Sequence, residues 1–304
     1  VPGSFLEHWR PDAGLLVESE LWPNLILGAR ARGVRLALVS ARITEASARG
    51  WGRAPGSARA LLAAFETVLP QDAETEARLA RLGAAVGPRL NLKLVGQALT
   101  CDEAELARLR KGVGARQVVL AASTHPGEEA LIGRAFREAG SPGLLILAPR
   151  HPERGEAVAA ELAADGVTVA RRAAGQPLTP AVTAYVADTL GEFGLLLRLA
   201  DVAVMGGSFV GGVGGHNPLE PARLGVPVVT GPDAFNARAV FDEMFAEAAA
   251  LEARDGAALA RHLRGLAAYP HVARRIGEAA LDYAERQGAA LDRALLRLEP
   301  LLPA

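Results

Sequence analysis

The chain has a single cysteine, Cys101, among 304 residues. It can form no intramolecular disulfide and no cysteine-based zinc site, which fits a reducing cytoplasm. Lysine is almost as scarce. Only Lys93 and Lys111 occur, so 31 of the 33 basic residues are arginine. With the excess of alanine and glycine this reads as genome composition, and a lone arginine carries little weight. An excess of charge of either sign is lacking too. The formal net charge is −1, which argues against a nucleic-acid binder working through bulk charge. No apolar run reaches the ~18 residues of a membrane-spanning helix, and no signal peptide is recognisable. No histidine pair has metal-ligand spacing, His262 and His271 lying in ordinary helical sequence, so neither a metal nor a cofactor is expected. A G-x-S-x-G elbow is missing, which disfavours a serine hydrolase. The dinucleotide fingerprint G-x-G-x-x-G and the lysine-bearing P-loop are missing as well, which disfavours a dinucleotide oxidoreductase.

What is present is an alternation of short apolar runs and helical segments, enough for two ordinary domains. Strands are expected at Gly14–Val17, Val34–Val39 and Thr67–Leu69, with a last one at Asn91–Lys93. Polar clusters follow the strands: Glu18-Ser19-Glu20, Ser40-Ala41-Arg42 and Gln71-Asp72. Lys93 is a candidate for an anion or for plain solvation. The stretch Lys111-Gly112-Val113-Gly114 reads as a linker, so the domain boundary falls between residues 1–112 and 113–304. The pattern then restarts. Strands at Val118–Ala122, Leu144–Leu147 and Thr183–Val186 end at Ser123-Thr124-His125 with Glu128-Glu129, at Arg150-His151-Pro152, and at Asp188-Thr189. Ligands in open α/β sheets gather at the carboxyl ends of strands, and two such halves imply a cleft between two Rossmann-like domains. Glu18 and Glu20 suit acid, base or hydroxyl-accepting roles, and equally the start of the next helix. Ser123 and His125 suit an anion or a sugar hydroxyl. Arg150 suits a phosphate, whose oxygens its planar fork matches.

The densest signal is Asp201–Pro232. An apolar strand, Val202–Met205, runs into six glycines between Gly206 and Gly215, with Ser208 among them. A helix is expected next, with Asn217 as its cap, Pro218 at its first position and Gly225 beyond its end, followed by a strand at Val226–Thr230. A glycine-rich turn entering a helix offers bare N–H groups to a phosphate. It also makes an ordinary tight loop. His216, Asn217 and Glu220 at the same turn favour a ligand site, although Glu220 also suits capping its own helix.

Taken in order, these motifs resemble one family across nearly the whole chain, the 3-deoxy-D-manno-octulosonic acid (Kdo) transferases. The residues that carry the resemblance are Glu18-Ser19-Glu20-Leu21-Trp22-Pro23-Asn24, Ala41-Arg42, Ser123-Thr124-His125 with Glu128-Glu129, and Pro149 through Arg154. Asp188-Thr189 with Gly191-Glu192, Gly206-Gly207-Ser208, and Gly214 through Pro221 complete the set. The resemblance implies a GT-B fold and inverting, metal-independent transfer of Kdo from CMP-Kdo to a lipid A precursor. The place implied is the cytoplasmic face of the bacterial inner membrane, with peripheral attachment. Arg150, Gly206, Gly207 and Ser208 would hold the donor phosphate. Asn217 and Glu220 would meet the nucleotide or Kdo hydroxyls with His216 nearby, and Glu18, Glu20 and Arg42 would face the cleft from the acceptor side. The family also carries a histidine-to-glutamate motif, holding its general base, earlier than anything matched here. Its Gly-Asn-Leu-Lys-Phe-Asp stands here only as Leu90-Asn91-Leu92-Lys93-Leu94-Val95. The reading is therefore of a partial chain with an incomplete first domain, expected to bind donor and fail to transfer. Another sugar-nucleotide enzyme of the same fold, a hexosamine transferase or 2-epimerase, and a non-catalytic nucleotide-binding remnant are the alternatives.

Overall fold

The computed structural model describes residues 2–94, 99–140 and 143–302, except for the side chain of Lys93. The expected anion contact of Lys93 and the Val95 end of its motif therefore lie outside the described residues. The chain forms two compact units, Val1–Val95 with Arg286–Ala304, and Gly96–Glu285.

The first unit is built on a three-stranded parallel sheet in the order β1 (Ala13–Val17), β2 (Arg35–Ala41), β3 (Thr67–Pro70). β2 is central and reads as an unbroken apolar run because both its faces are covered. Leu36 and Leu38 point into one core with Ile26, Leu61, Leu62, Phe65 and Leu79. Ala37 and Val39 point into another, closed by Leu69, Leu90, Ala294, Leu298 and Leu301. The chain's end is thus part of this unit. The last strand expected here is instead a short 3₁₀ turn, Leu92–Leu94. Its Leu92 N–H donates to the Ser40 hydroxyl at 3.3 Å, across β2, rather than to a neighbouring strand.

The second unit carries a seven-stranded all-parallel sheet. Its strands are β4 (Gln117–Thr124), β5 (Gly143–Pro149), β6 (Val169–Arg171), β7 (Ala184–Val186), β8 (Val202–Met205), β9 (Val228–Thr230) and β10 (Ala250–Glu252). The order across the sheet is β10-β9-β8-β4-β5-β7-β6. The chain leaves β4 towards one edge, returns, and leaves β8 towards the other. The carboxyl ends of β4 and β8 therefore form the topological switch point, where ligands bind in such sheets. β6 and β10 were not anticipated: each is three residues long and lies at an edge, too short for a period to show.

The division between the units differs from the one expected near Gly112. The expected linker Lys111–Gly114 is instead the end of the helix Glu103–Val113, capped by Asp102, whose carboxylate accepts from the N–H groups of Ala104 and Glu105. Gly112 is a packing residue of that helix, since a Cβ there would collide with the Leu178 carbonyl. The Arg116 guanidinium, turned back on the same place, donates to the carbonyls of Gly112 and Val113 at 2.7 and 2.9 Å. A glycine that permits close approach and a glycine that frees a linker look alike in sequence.

Candidate functional site

β4 and β8 lie side by side in register, Ala122 opposite Met205, so the segments that leave them are forced together. Ser123 stands at a positive φ of 56°, where the β4–β5 register shifts. That irregularity turns Thr124 inward and His125 toward β8. Gly206 answers it, because a Cβ at that position would strike the Ser123 carbonyl and Thr124. The two segments then share one anchor. Glu128, the first residue of the helix Glu128–Ala139, is 0% exposed. Its Oε2 accepts from the N–H of His125 at 2.9 Å and of Gly207 at 2.7 Å. Its Oε1 accepts from Ser208 at 3.0 Å and Phe209 at 2.9 Å.

In this structure the three N–H groups expected to meet a phosphate, those of Gly206, Gly207 and Ser208, already have partners within the chain, that of Gly206 being the Ala122 carbonyl at 2.8 Å. The N–H groups of Gly207 and Ser208 are directed at the chain's own carboxylate and not outward to a phosphate. The Ser208 hydroxyl is buried, donating to the Met205 carbonyl at 2.6 Å and accepting from the Gly231 N–H at 2.7 Å. The turn is a packed joint of the sheet. Next to it Glu129, also buried, accepts from the Thr124 hydroxyl at 2.8 Å and from both Nη atoms of Arg154 at 2.8 and 3.1 Å.

Above the joint the remaining candidates of this unit converge. The glycine loop returns through the Gly215 N–H to the Gly207 carbonyl at 2.7 Å. Asp233 and Asn236 hold it at Gly212 and Val213. His216 is thereby laid over His125, rings stacked at 5.2 Å with the two Nε2 atoms 3.0 Å apart. His151 meets His125 edge-on at 6.2 Å. Burial, reinforced by His125 and Arg150, depresses the His216 pKa to about 4, against a hydrogen bond to the Ser123 backbone that raises it. Burial lowers the His125 value as well. Both shifts favour the neutral rings near pH 7. Asn217 accepts from the Leu219 N–H at 3.0 Å, but the helix that follows is only one turn, Leu219–Ala222, with Pro218 rather than Asn217 at its cap position. Glu220 is half-buried, and burial pushes its pKa up, opposed by Arg223 and Arg150. Arg150 follows β5, its N–H bonded to the Thr124 carbonyl at 3.0 Å and its side chain exposed. The structure therefore gathers Ser123, His125, Arg150, His216, Asn217 and Glu220 at the ends of β4, β5 and β8.

Glu18, Glu20 and Arg42 belong to the first unit. Glu18 has φ of 61°, its N–H bonded to the Val39 carbonyl and its own carbonyl to the Arg42 N–H. The Ser19 hydroxyl donates to the Arg42 carbonyl at 2.9 Å. The Glu20 carboxylate accepts from the Trp22 indole, and neither glutamate lies in the first turn of the following helix, Pro23–Arg30. The Asp188 and Glu192 carboxylates serve the frame. Asp188 accepts from Arg171 and Glu192 from Arg172, clasping the ends of β6 and β7.

Two parallel-sheet α/β units, one with its polar groups collected at a switch point, make this a GT-B glycosyltransferase fold, and solved structures share it. A UDP-GlcNAc 2-epimerase from Neisseria meningitidis superposes over 96% of this chain and 78% of its own, with a TM-score of 0.60 at 13% identity. Residues 2–95 match the model of the family described as 3-deoxy-D-manno-octulosonic-acid transferase (kdotransferase). The 3-deoxy-D-manno-octulosonic acid transferase of Bordetella pertussis is 37% identical over 98% of this chain and 71% of that protein. The Haemophilus influenzae transferase is 31% identical over the same shares. The C-terminal CMP-Kdo binding domain of WaaA from Acinetobacter baumannii is 34% identical, covers 59% of this chain and 96% of that one, and has a TM-score of 0.56. The chain belongs to the Kdo transferase family.

Proposed function

We propose that the second unit binds CMP-Kdo, that the reaction it serves moves Kdo to a lipid A precursor in lipopolysaccharide synthesis, and that these 304 residues bind the donor without completing the transfer. The observation that carries this reading is the convergence of Arg150, His216, Asn217 and Glu220 at the switch point, in a unit similar in sequence to a CMP-Kdo binding domain. In this reading the Arg150 guanidinium meets the donor phosphate. As the acceptor hydroxyl gives its proton to a general base, not assigned among these residues, and attacks the anomeric carbon, the bond to CMP breaks, negative charge grows on that phosphate, and a cation beside it lowers the barrier. Asn217 and Glu220 meet nucleotide or sugar hydroxyls, and the neutral histidine pair lines the wall. Glu18, Glu20 and Arg42 are assigned to the acceptor side, without metal assistance. A lipid acceptor places the reaction at the cytoplasmic face of the inner membrane. Among the described residues no helix is long and apolar enough to cross a membrane, and in this reading the chain's place there is peripheral.

Calorimetry with CMP on the 304-residue chain tests the donor site. A charged hydrogen bond is worth about 1.5–3 kcal/mol, so Arg150→Ala is expected to weaken CMP at least about tenfold. Unchanged affinity removes Arg150 from the site, and uridine nucleotides binding better than CMP would overturn the donor assignment.

A further inference from the structure

The amides of Gly207, Ser208 and Phe209 are consecutive and converge on one point. Such a concave run of N–H groups is what glycine-rich turns elsewhere offer to an anionic phosphate. Here the point is filled from within the chain, by a carboxylate 79 to 81 residues earlier in sequence. Both Glu128 oxygens are fully used, each taking two N–H groups, so no oxygen is left for a ligand and no N–H of the three is left for a phosphate. The fourth N–H is that of His125, the residue whose ring meets His216. One buried anion thus ties the backbone beneath one imidazole to the turn whose Gly207 carbonyl holds Gly215, the neighbour of the other.

We propose that Glu128 is a positioning residue of the donor site, an internal anion that takes the place of a ligand phosphate in the glycine turn and so fixes His216 against His125. The donor phosphate then meets Arg150 and the loop above the turn, not the turn's amides. The fixing of the turn follows from the hydrogen bonds alone, and its effect on donor binding rests on the proposed nucleotide site. Glutamine keeps the length of the side chain but puts an NH₂ where two of the four N–H groups need an acceptor. Aspartate is too short to span the two segments.

The experiment uses the 304-residue chain, Glu128→Gln, and Asp255→Ala as a control. Asp255 caps the helix Gly256–Ala268 of the same unit through the Ala258 N–H, away from this turn. Hydrogen exchange at 207–209 and CMP affinity are measured below the melting temperature of every variant. Glu128→Gln is expected to speed exchange at those amides and to weaken CMP, each at least about tenfold, because buried donors lose their acceptors. Asp255→Ala is expected to lower the melting temperature without either effect. Exchange that stays slow in Glu128→Gln overturns the proposal, as does unaltered CMP affinity or an equal loss in Asp255→Ala. If the wild-type chain does not bind CMP, the nucleotide site itself fails and the donor role of Glu128 fails with it. Should Glu128→Gln not fold, the wild-type chain decides. The amides of 207–209 are expected to be protected in the free protein, and CMP or inorganic phosphate to slow them no more than the other core amides of the second unit. Slowing confined to 207–209 by either ligand would show that the turn is a phosphate cradle and would overturn the proposal.

Discussion

His216 shows how burial decides the chemistry of a single side chain. A histidine in water binds a proton near pH 6.5, but here the ring is partly withdrawn from solvent beside His125 and Arg150, and its pKa falls to about 4. The groups facing the pair are Arg150 on the His216 side, and Glu128, Glu129, His151 and Arg154 on the His125 side. Because the folded value is depressed, the unfolded state binds more protons between about pH 4 and 6.5. The stability tied to the neutral ring is complete above about 6.5 and is lost as the pH falls towards 4. After allowance for the ring's partial exposure the loss is about 1–2 kcal/mol. His216→Gln is expected to flatten that part of the pH–stability curve, which urea unfolding at pH 4.5 and 7 would measure. A difference between the two pH values equal to that of the wild type would refute the assignment.

At the scale of elements, the site is made by strand ends. β4 and β8 are adjacent, β4 runs two residues past Ala122, the partner of Met205, and the left-handed Ser123 turns the chain where Gly206 admits it. β8 is also joined to β9 through the Ser208 hydroxyl, which satisfies the Gly231 N–H where the two backbones nearly touch. Ser208→Ala should therefore destabilise the second unit by about 1–3 kcal/mol, the cost of leaving a buried N–H without an acceptor. A denaturant midpoint equal to that of the wild type would show that Gly231 finds another partner. The strands that meet here were legible from their apolar runs and the polar clusters after them. Glu128 and Glu129 were legible only as polar residues after a strand and as part of a family motif. Besides the local His125 N–H and Thr124 hydroxyl, their partners are Gly207, Ser208, Phe209 and Arg154, and no local pattern encodes those distant contacts.

At the scale of the molecule, the two units are not two halves of the sequence. The helix Pro270–Leu298 belongs to the second unit up to Glu285 and to the first from Arg286. Ala294, Leu298 and Leu301 close a core face formed by Ala37, Val39, Leu69 and Leu90. Leu298→Ala should cost about 2–5 kcal/mol in the first unit, as large-to-small changes in cores do. The observable is a lowered first transition in calorimetry with the second unit's transition unmoved. Two transitions lowered together would mean that the units unfold as one body. An amphipathic tail shows which of its faces is apolar but not which core that face will cover, and for that reason the boundary expected near Gly112 differs from the observed division.

Short-range chemistry was enough to specify the alternating α/β order, the family motifs and the set of polar residues at strand ends, because each depends on neighbours within a few residues. The assignments that changed all involve long-range pairing. Gly112 turned from linker to packing residue when Leu178 came against it. The Gly207 and Ser208 amides turned from phosphate donors to partners of Glu128 when β8 was laid beside β4. A backbone N–H has one hydrogen to give, and only the folded chain decides whether a ligand or another part of the same chain receives it.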